Sequence, residues 1–247
     1  MIKTLSDYYD VIASLPIQST YKKEQLLIPE LLVEKQESIE IYYAPHNEYQ
    51  NPEANIFIVG ITPGFQQMST AIAAARKGIA EGKSIEEIQY LCKVAGRFSG
   101  IMRTNIINML DEVELNHRLH IESCSELFGS HEHLLHTISL IPYSVFVKGS
   151  NYSGHTPKLI KNKFLMNYVY DNFLQEYKQL REKESLVIIP LGSAVEEVLL
   201  HLEEEGMIEK NSIMRGFPHP SGANVNRLSK LREEKEQITK FLDEAFS

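Results

Sequence analysis

The chain has 247 residues, 43% of them hydrophobic and 23% charged, with two cysteines and a formal net charge of −8. This composition predicts one globular domain over residues 1–247. Two cysteines, Cys92 and Cys124, are too few for a disulfide framework. No apolar run approaches the length of about 20 residues that a membrane-spanning helix needs. We expect a soluble, cytoplasmic, monomeric protein without a secretory leader, whose acidic total taken alone argues against a nucleic-acid partner.

The first half of the chain begins with helix-forming patterns. Residues 22–35 and 69–95 place apolar side chains at helical spacing and predict helices. We expect residues 1–50 to form a helical extension packed on the domain. Between the two helices, the alternation over residues 38–44 predicts an edge strand, and the apolar run 56–59 predicts a buried strand.

The second half alternates strands with helices. Residues 137–141, 186–191 and 213–217 are apolar runs of strand length that end in Gly, Pro or polar residues. A helix is predicted over residues 158–183, with Leu165, Val169, Phe173, Tyr177 and Leu180 on one stripe. The C-terminal stretch repeats this pattern with Leu228, Leu231, Ile238, Leu242 and Ala245.

Strands that alternate with helices favour parallel pairing. The predicted fold class is therefore α/β: a three-layer α/β/α sandwich around a central, four-stranded, mainly parallel sheet. Ligands in such folds bind in the loops at the carboxyl ends of the strands, so the chemistry is expected there.

Two of those loops carry a notable pattern. Residues 59–65 read V-G-I-T-P-G-F, which any tight turn between a strand and a helix could also use. Residues 216–224 read G-F-P-H-P-S-G-A-N. His219 is held there between two prolines, which restrict the backbone, and Ser221 and Gly222 could approach a phosphate closely. A loop histidine taken alone, however, usually has a structural or surface role.

In this order, the two loops resemble the signature motifs of the uracil-DNA glycosylase superfamily. Residues 95–100, A-G-R-F-S-G, together with residues 102–111 resemble the G-R-P-F-x-G segment of the iron–sulfur uracil-DNA glycosylases. Residues 187–194 resemble the strand-to-helix turn of the superfamily. The four cluster cysteines are absent, so no iron–sulfur centre or other cofactor is expected. His131, His133 and His136 do not share a helical face, so no metal site is expected either.

The resemblance implies a hydrolase that flips a base out of DNA and cuts its N-glycosidic bond, leaving an abasic site. It assigns His219 as the donor to the O2 oxygen of a pyrimidine and Thr62 as the group that orients the water. Phe98 would stack on the flipped base; the alternative is a core residue beneath its turn. The remaining candidates to contact the base are Gly60, Ile61, Pro63, Gly64, Phe65, Ser139 and Asn151.

The last loop and the helix after it supply the candidate DNA contacts. Ser221, Gly222 and Ala223 would clamp a phosphate, and Arg227 and Lys230 would contact the DNA backbone. Asn224, Val225 and Asn226 stand where the superfamily inserts a wedge into the base stack; a plain surface loop is the alternative.

The charge distribution permits such contacts despite the acidic total. Residues 93–108, 143–163 and 213–232 contain no acidic residue and together carry +11, which leaves −19 on the rest of the chain. This pattern is compatible with a basic face on an acidic body, and equally with ordinary scatter of surface charge.

Departures from the superfamily pattern leave three functions open. Relatives use an acidic or amide residue to activate the water where this chain has Ile61 and Thr62, and a threonine is no base near neutral pH. The base-reading asparagine is not obvious, and Gly64 stands where strict uracil enzymes carry a bulky tyrosine. The protein is thus expected to remove uracil, to remove a hypermodified cytosine such as a glucosylated base in phage defence, or to bind DNA with weak catalysis.

Overall fold

The computed structural model describes residues 3–180 and 186–247. Its N-terminal part contains helices α1 (Leu5–Ser14) and α2 (Lys23–Leu26), followed by strands β1 (Leu32–Gln36) and β2 (Ile39–Tyr42). The predicted helix over residues 22–35 is therefore wrong beyond its first turn, and residues 1–50 are not a purely helical extension. Pro29 disfavours a helical conformation at the residue before it and opens a short 3-10 turn, after which the chain is extended.

A four-stranded antiparallel sheet accounts for part of this segment. Its order is β1–β2–β5–β6, with β5 at Ser144–Val147 and β6 at Ser150–Asn151. The predicted edge strand within residues 38–44 is present as β2, but it is an inner strand, because β2 pairs with β1 on one side and β5 on the other.

The parallel sheet has three strands in the order β4–β3–β7, formed by Leu135–Ser139, Ile56–Gly60 and Val187–Pro190. The expected fourth strand at residues 213–217 is reduced to a single bridge between Ile188 and Ile213, so a four-stranded parallel sheet is not formed. The chain leaves the sheet because Gly216 adopts a φ of 82° and donates its N–H to Glu196 instead of to the neighbouring strand.

Helices cover both faces of the parallel sheet, as expected of a mixed α/β fold. Along β3, Phe57 and Val59 belong to one buried cluster, while Ile56 and Ile58 belong to the other. The first cluster includes helices α3 (Phe65–Ala80), α4 (Ile85–Gly96), α7 (Lys163–Tyr168), α8 (Leu174–Leu180) and α9 (Ser193–Glu204). The second includes α5 (Ile101–Glu112), α6 (Leu115–Arg118) and α10 (Arg227–Ala245).

The predicted helices differ from the observed ones mainly where the observed helices are interrupted. Residues 69–95 form parts of two helices, broken near Gly82, whose φ is 67°. The predicted helix over residues 158–183 contains a π-helical turn at Val169–Phe173 between α7 and α8, and its last residues, 181–183, lie outside the described residues. Its apolar stripe is buried throughout. Leu228 of the C-terminal stripe is exposed. Among the described helices, none is both long and apolar enough to cross a membrane.

Candidate active site

The candidate residues of the first loop meet two other segments at the carboxyl end of the parallel sheet. Gly60 ends β3 and lies opposite Ser139, which is buried at the end of β4. Asn151 of β6 reaches the same place, since its Oδ1 accepts a hydrogen bond of 3.1 Å from the backbone N–H of Phe65. The structure thus brings Ser139 and Asn151, the two candidates for reading a base, to the loop that contains Gly64 and Phe65.

Two glycines allow the neighbouring loops to close on this point. A β-carbon on Gly154 would lie 2.8 Å from Ile61 Cδ1 and 2.9 Å from Ala194 Cβ, and one on Gly192 would lie 2.8 Å from His219 Cβ. Both glycines have a positive φ, a conformation that other residues adopt at a cost. The loops after β3, β6 and β7 and the His219 loop therefore form one cluster.

A hydrogen bond to His219 defines which of its ring nitrogens carries the proton. Its Nδ1 accepts a hydrogen bond of 3.2 Å from the backbone N–H of Ser221, so the proton of the neutral imidazole lies on Nε2. The residue is exposed on its outer side, while desolvation on the loop side, with the charge of His155 as a second cause, lowers its pKa below 6.5. His219 is therefore a neutral Nε2–H donor at neutral pH.

Side chains from outside the last loop fasten its backbone. Asn105 of α5 is buried and donates a 2.7 Å hydrogen bond to the Pro220 carbonyl, and its Oδ1 accepts from Arg227. Within the loop, Asn224 donates to the His219 carbonyl at 3.0 Å, and the Ala223 N–H donates to the Ser221 hydroxyl at 3.1 Å. These hydrogen bonds hold the backbone of the loop in one conformation.

Thr62 has a structural partner for its hydroxyl. The hydroxyl donates to the Tyr143 carbonyl and accepts a 3.1 Å hydrogen bond from the Val145 N–H. These bonds tie the turn after β3 to the start of β5. The hydroxyl proton is therefore committed to the backbone, which favours a positioning role over direct orientation of a water.

Replacement of Thr62 by valine is expected to lower the free energy of unfolding by about 1–3 kcal/mol, because two backbone groups lose a shared partner. Thr62→Ser keeps the hydroxyl and should lose much less. Urea unfolding of both variants measures the difference, and equal stability of the valine variant and the wild type would contradict the structural role.

Phe98 is placed in the hydrophobic core. The residue is only 7% exposed and belongs to the second buried cluster, which also contains Ile106 and Met109 of α5. The neighbouring Arg97 is itself 7% exposed and pairs with Glu132. This burial favours the core alternative for Phe98 over the stacking role, which stays a prediction.

The proposed DNA-contacting residues are all at least partly exposed. Gly222, Ala223, Asn226 and Lys230 are exposed, and Ser221, Asn224 and Arg227 are half-buried. Three exposed apolar side chains flank them: Ile101 at 72%, Val225 at 82% and Leu228 at 39%.

The acid-free segments contribute unequally to this surface. Lys93 and Arg97 are buried, Arg215 pairs with Glu203, and Lys158 pairs with Glu197. Part of the +11 read from the sequence is therefore internal or neutralised, and the expected basic face is smaller than the segment charges indicate.

The cluster formed by these loops is open to solvent. Two cavities, of about 330 and 640 Å³, are lined by other residues, while Asn151, His155 and His219 of the cluster are exposed. Sequence reasoning missed Asn105 and His155. Asn105 lies within a quoted motif segment but had no assigned role, and no pattern in the sequence pointed to His155.

A comparison with known proteins shows a relative in sequence. The Bacillus subtilis protein described as "Uncharacterized protein YoxB" is 37% identical over 234 residues, which cover 95% of this chain and 90% of that protein. No protein-family model matches the chain. The crystal structure of wild-type SMUG2 from Pedobacter heparinus aligns with a TM-score of 0.46 and 12% identity over 98% of this chain and 100% of that chain, a similarity that does not establish a shared function. The sequence match shows that the chain belongs to the same family as YoxB.

Proposed function

We propose that the protein is a DNA glycosylase that hydrolyses the N-glycosidic bond of a flipped-out pyrimidine. The observation that carries the proposal is the state of His219: a neutral imidazole, fixed through Nδ1, whose Nε2–H has no hydrogen-bond partner among the residues that the structure describes. The departing base gains negative charge in the transition state, and a preorganised donor near its oxygen lowers the barrier.

The other loops of the cluster would hold the substrate. Asn151 and Ser139 would read the base beside residues 60–65, and Ser221, Gly222 and Ala223 would contact the phosphate next to the flipped nucleotide. Val225 is exposed in the right loop to fill the gap in the base stack, as apolar wedges do in other DNA-binding proteins. Thr62 enters as a positioning residue for the first loop.

Space at Gly64 supports a second candidate substrate, a cytosine with a bulky C5 substituent. Among the described residues, a β-carbon at Gly64 would have Asn151 Nδ2, at 3.8 Å, as its one neighbour within 4 Å, so there is room at the position where strict uracil enzymes carry a tyrosine. A site without a bulky side chain at this position has no steric means to reject a substituent at C5.

The activity is tested on oligonucleotides that carry uracil, hypoxanthine or glucosylated hydroxymethylcytosine, each in single- and double-stranded form. Alkali after incubation breaks the strand at every abasic site. Breaks at uracil alone support the first substrate, and breaks at the glucosylated base support the second. A gel shift without strand breaks on any of these substrates would mean that the protein only binds DNA, and it would contradict the glycosylase proposal.

Charge reversal at Lys230 is expected to weaken DNA binding for every sequence and to lower the slope of log affinity against log salt by about one or more. Lys230 is exposed near the start of α10, and Lys230→Glu leaves untouched the half-buried Arg227, which also holds the loop. Lys240→Glu, about 15 Å further along the same helix, is the matched control. Equal affinities and salt slopes for the two variants would place the DNA elsewhere.

A further inference from the structure

The peptide bond between Pro220 and Ser221 lies directly after His219 and is held at both of its polar groups. Its carbonyl belongs to Pro220, which is buried, and accepts a 2.7 Å hydrogen bond from Asn105 Nδ2. Its N–H belongs to Ser221 and donates to His219 Nδ1 at 3.2 Å. Because a peptide unit is planar, a donor that fixes the direction of the carbonyl also fixes the direction of the N–H.

The Pro220 carbonyl depends on Asn105 for its hydrogen bond. Proline has no backbone N–H, so the carbonyl is the one backbone group through which Pro220 can hydrogen-bond. A buried carbonyl that loses its donor is unfavourable, since it regains neither water nor another partner. Without Asn105 the loop would have to shift until water reached this carbonyl, and His219, the preceding residue, would shift with it.

Asn105 is held in place by its second partner. The side chain is 8% exposed, and its Oδ1 accepts a 3.3 Å hydrogen bond from Arg227 Nη2. The same guanidinium donates through Nη1 to the Asn224 carbonyl at 3.1 Å. An amide offers donors on its nitrogen and an acceptor on its oxygen, so the guanidinium on one side and the Pro220 carbonyl on the other define a single orientation of the Asn105 amide.

This chain of hydrogen bonds bears on the tautomer of His219. A neutral imidazole carries its proton on either ring nitrogen, and a hydrogen bond to one nitrogen decides which. The Ser221 N–H at Nδ1 leaves the proton on Nε2, the nitrogen through which His219 donates in the proposed function. The other tautomer would present a bare acceptor to the negative charge that develops on the departing base.

We propose that Asn105 is a positioning residue for His219: it holds the Pro220–Ser221 peptide in the orientation that keeps the imidazole proton on Nε2. Asn105 acts through His219 and makes no contact with the base. The consequence for base release rests on the proposed function, whereas the consequence for the tautomer does not.

Asn105→Asp tests the proposal, because it keeps the shape of the side chain and the acceptor for Arg227. An ionised carboxylate has no proton to donate to the Pro220 carbonyl. Nitrogen-15 NMR of the imidazole rings in mildly alkaline solution, assigned with His219→Ala, reports the tautomer. We expect an unprotonated Nδ1 and a protonated Nε2 in the wild type, and exchange between both tautomers in Asn105→Asp.

The rate of base release in a single turnover is expected to fall by about 10-fold or more in Asn105→Asp, since a displacement of about 1 Å at a reacting group costs up to about 100-fold. In the His219→Ala background the same substitution should change the rate little, because residues that act through one another are not additive.

Asn116→Asp is the matched control. Asn116 is also 8% exposed, and its Nδ2 donates to a backbone carbonyl, that of Glu122, at 3.1 Å. The change is chemically the same at an equally buried amide outside the His219 loop. It should lower the melting temperature as Asn105→Asp does, while the tautomer of His219 and the rate of base release stay those of the wild type. Asn105→Ala and Asn116→Ala form a second pair should an aspartate variant fail to fold.

Three results would overturn the proposal: an unchanged His219 tautomer in a folded Asn105 variant, an equal fall in rate in the matching Asn116 variant, or a full loss of rate from Asn105→Asp in the His219→Ala background. A changed tautomer in Asn105→Asp, together with no base release by the wild type from any substrate, would contradict the proposed function and still support the positioning of His219 by Asn105.

Discussion

Replacement of His219 by alanine is expected to lower the rate of base release by about 100-fold or more, the usual effect of losing a donor to a developing anion. DNA affinity should change little, because the phosphate contacts are assigned to Ser221, Gly222 and Ala223. Single-turnover kinetics and a binding titration on the same substrate measure the two effects separately.

The pH profile gives a second, independent readout of the same residue. Because the pKa of His219 is lowered from 6.5, the imidazole is still mostly neutral at pH 6.5. The rate of base release is therefore expected to fall only at a pH more acid than 6.5. Protonation there would remove the acceptor at Nδ1 that fixes the ring against the Ser221 N–H. In His219→Ala this acid limb should be absent.

His133→Ala is the matched control, since His133 is exposed at the other end of β4. Its rate and pH profile should equal those of the wild type. A His219→Ala enzyme with a near-normal rate of base release would remove this histidine from the mechanism.

A large loss of stability is expected when Phe98 is replaced by alanine. Truncation of a buried phenylalanine to alanine removes apolar burial and leaves a cavity, and it typically costs about 3–5 kcal/mol. For a chain of this size the melting temperature should fall by about 6–20 °C. Phe98→Leu retains most of the packing and should lose considerably less.

Ile101→Ala is the control, because Ile101 is three residues further along and 72% exposed, so its truncation should change the melting temperature little. Binding to duplexes with and without a target base separates the core role from stacking. A stable Phe98→Ala protein that loses affinity only for the base-containing duplex would restore the stacking interpretation.

The central strands were predictable because their signal is local. Residues 56–59 form an uninterrupted apolar run, and the side chains of β3 are buried on both faces, as a central parallel strand requires. The helix over residues 22–35 was mispredicted because β1 owes its existence to pairing with β2. That pairing is a contact between segments, which helical spacing within one segment does not reveal.

The site was predictable to a similar extent. The position of His219 in the last loop follows from the motif, and the neighbourhood of Asn151 and Gly64 was expected. The surroundings of Thr62 and Phe98 were not, since the first bonds to the backbone of β5 and the second belongs to a buried cluster with residues of β3, β7 and α10. Neither partner is near in sequence, so residue type and spacing left both roles open.

Chromatography and mass spectrometry of the free base released from modified oligonucleotides test the central claim most directly. The account predicts that the wild-type protein releases one free base for each abasic site formed, from a uracil or a C5-modified cytosine substrate, and that His219→Ala releases about 100-fold less in the same time. DNA binding by the wild type without release of a free base from any of these substrates would contradict it.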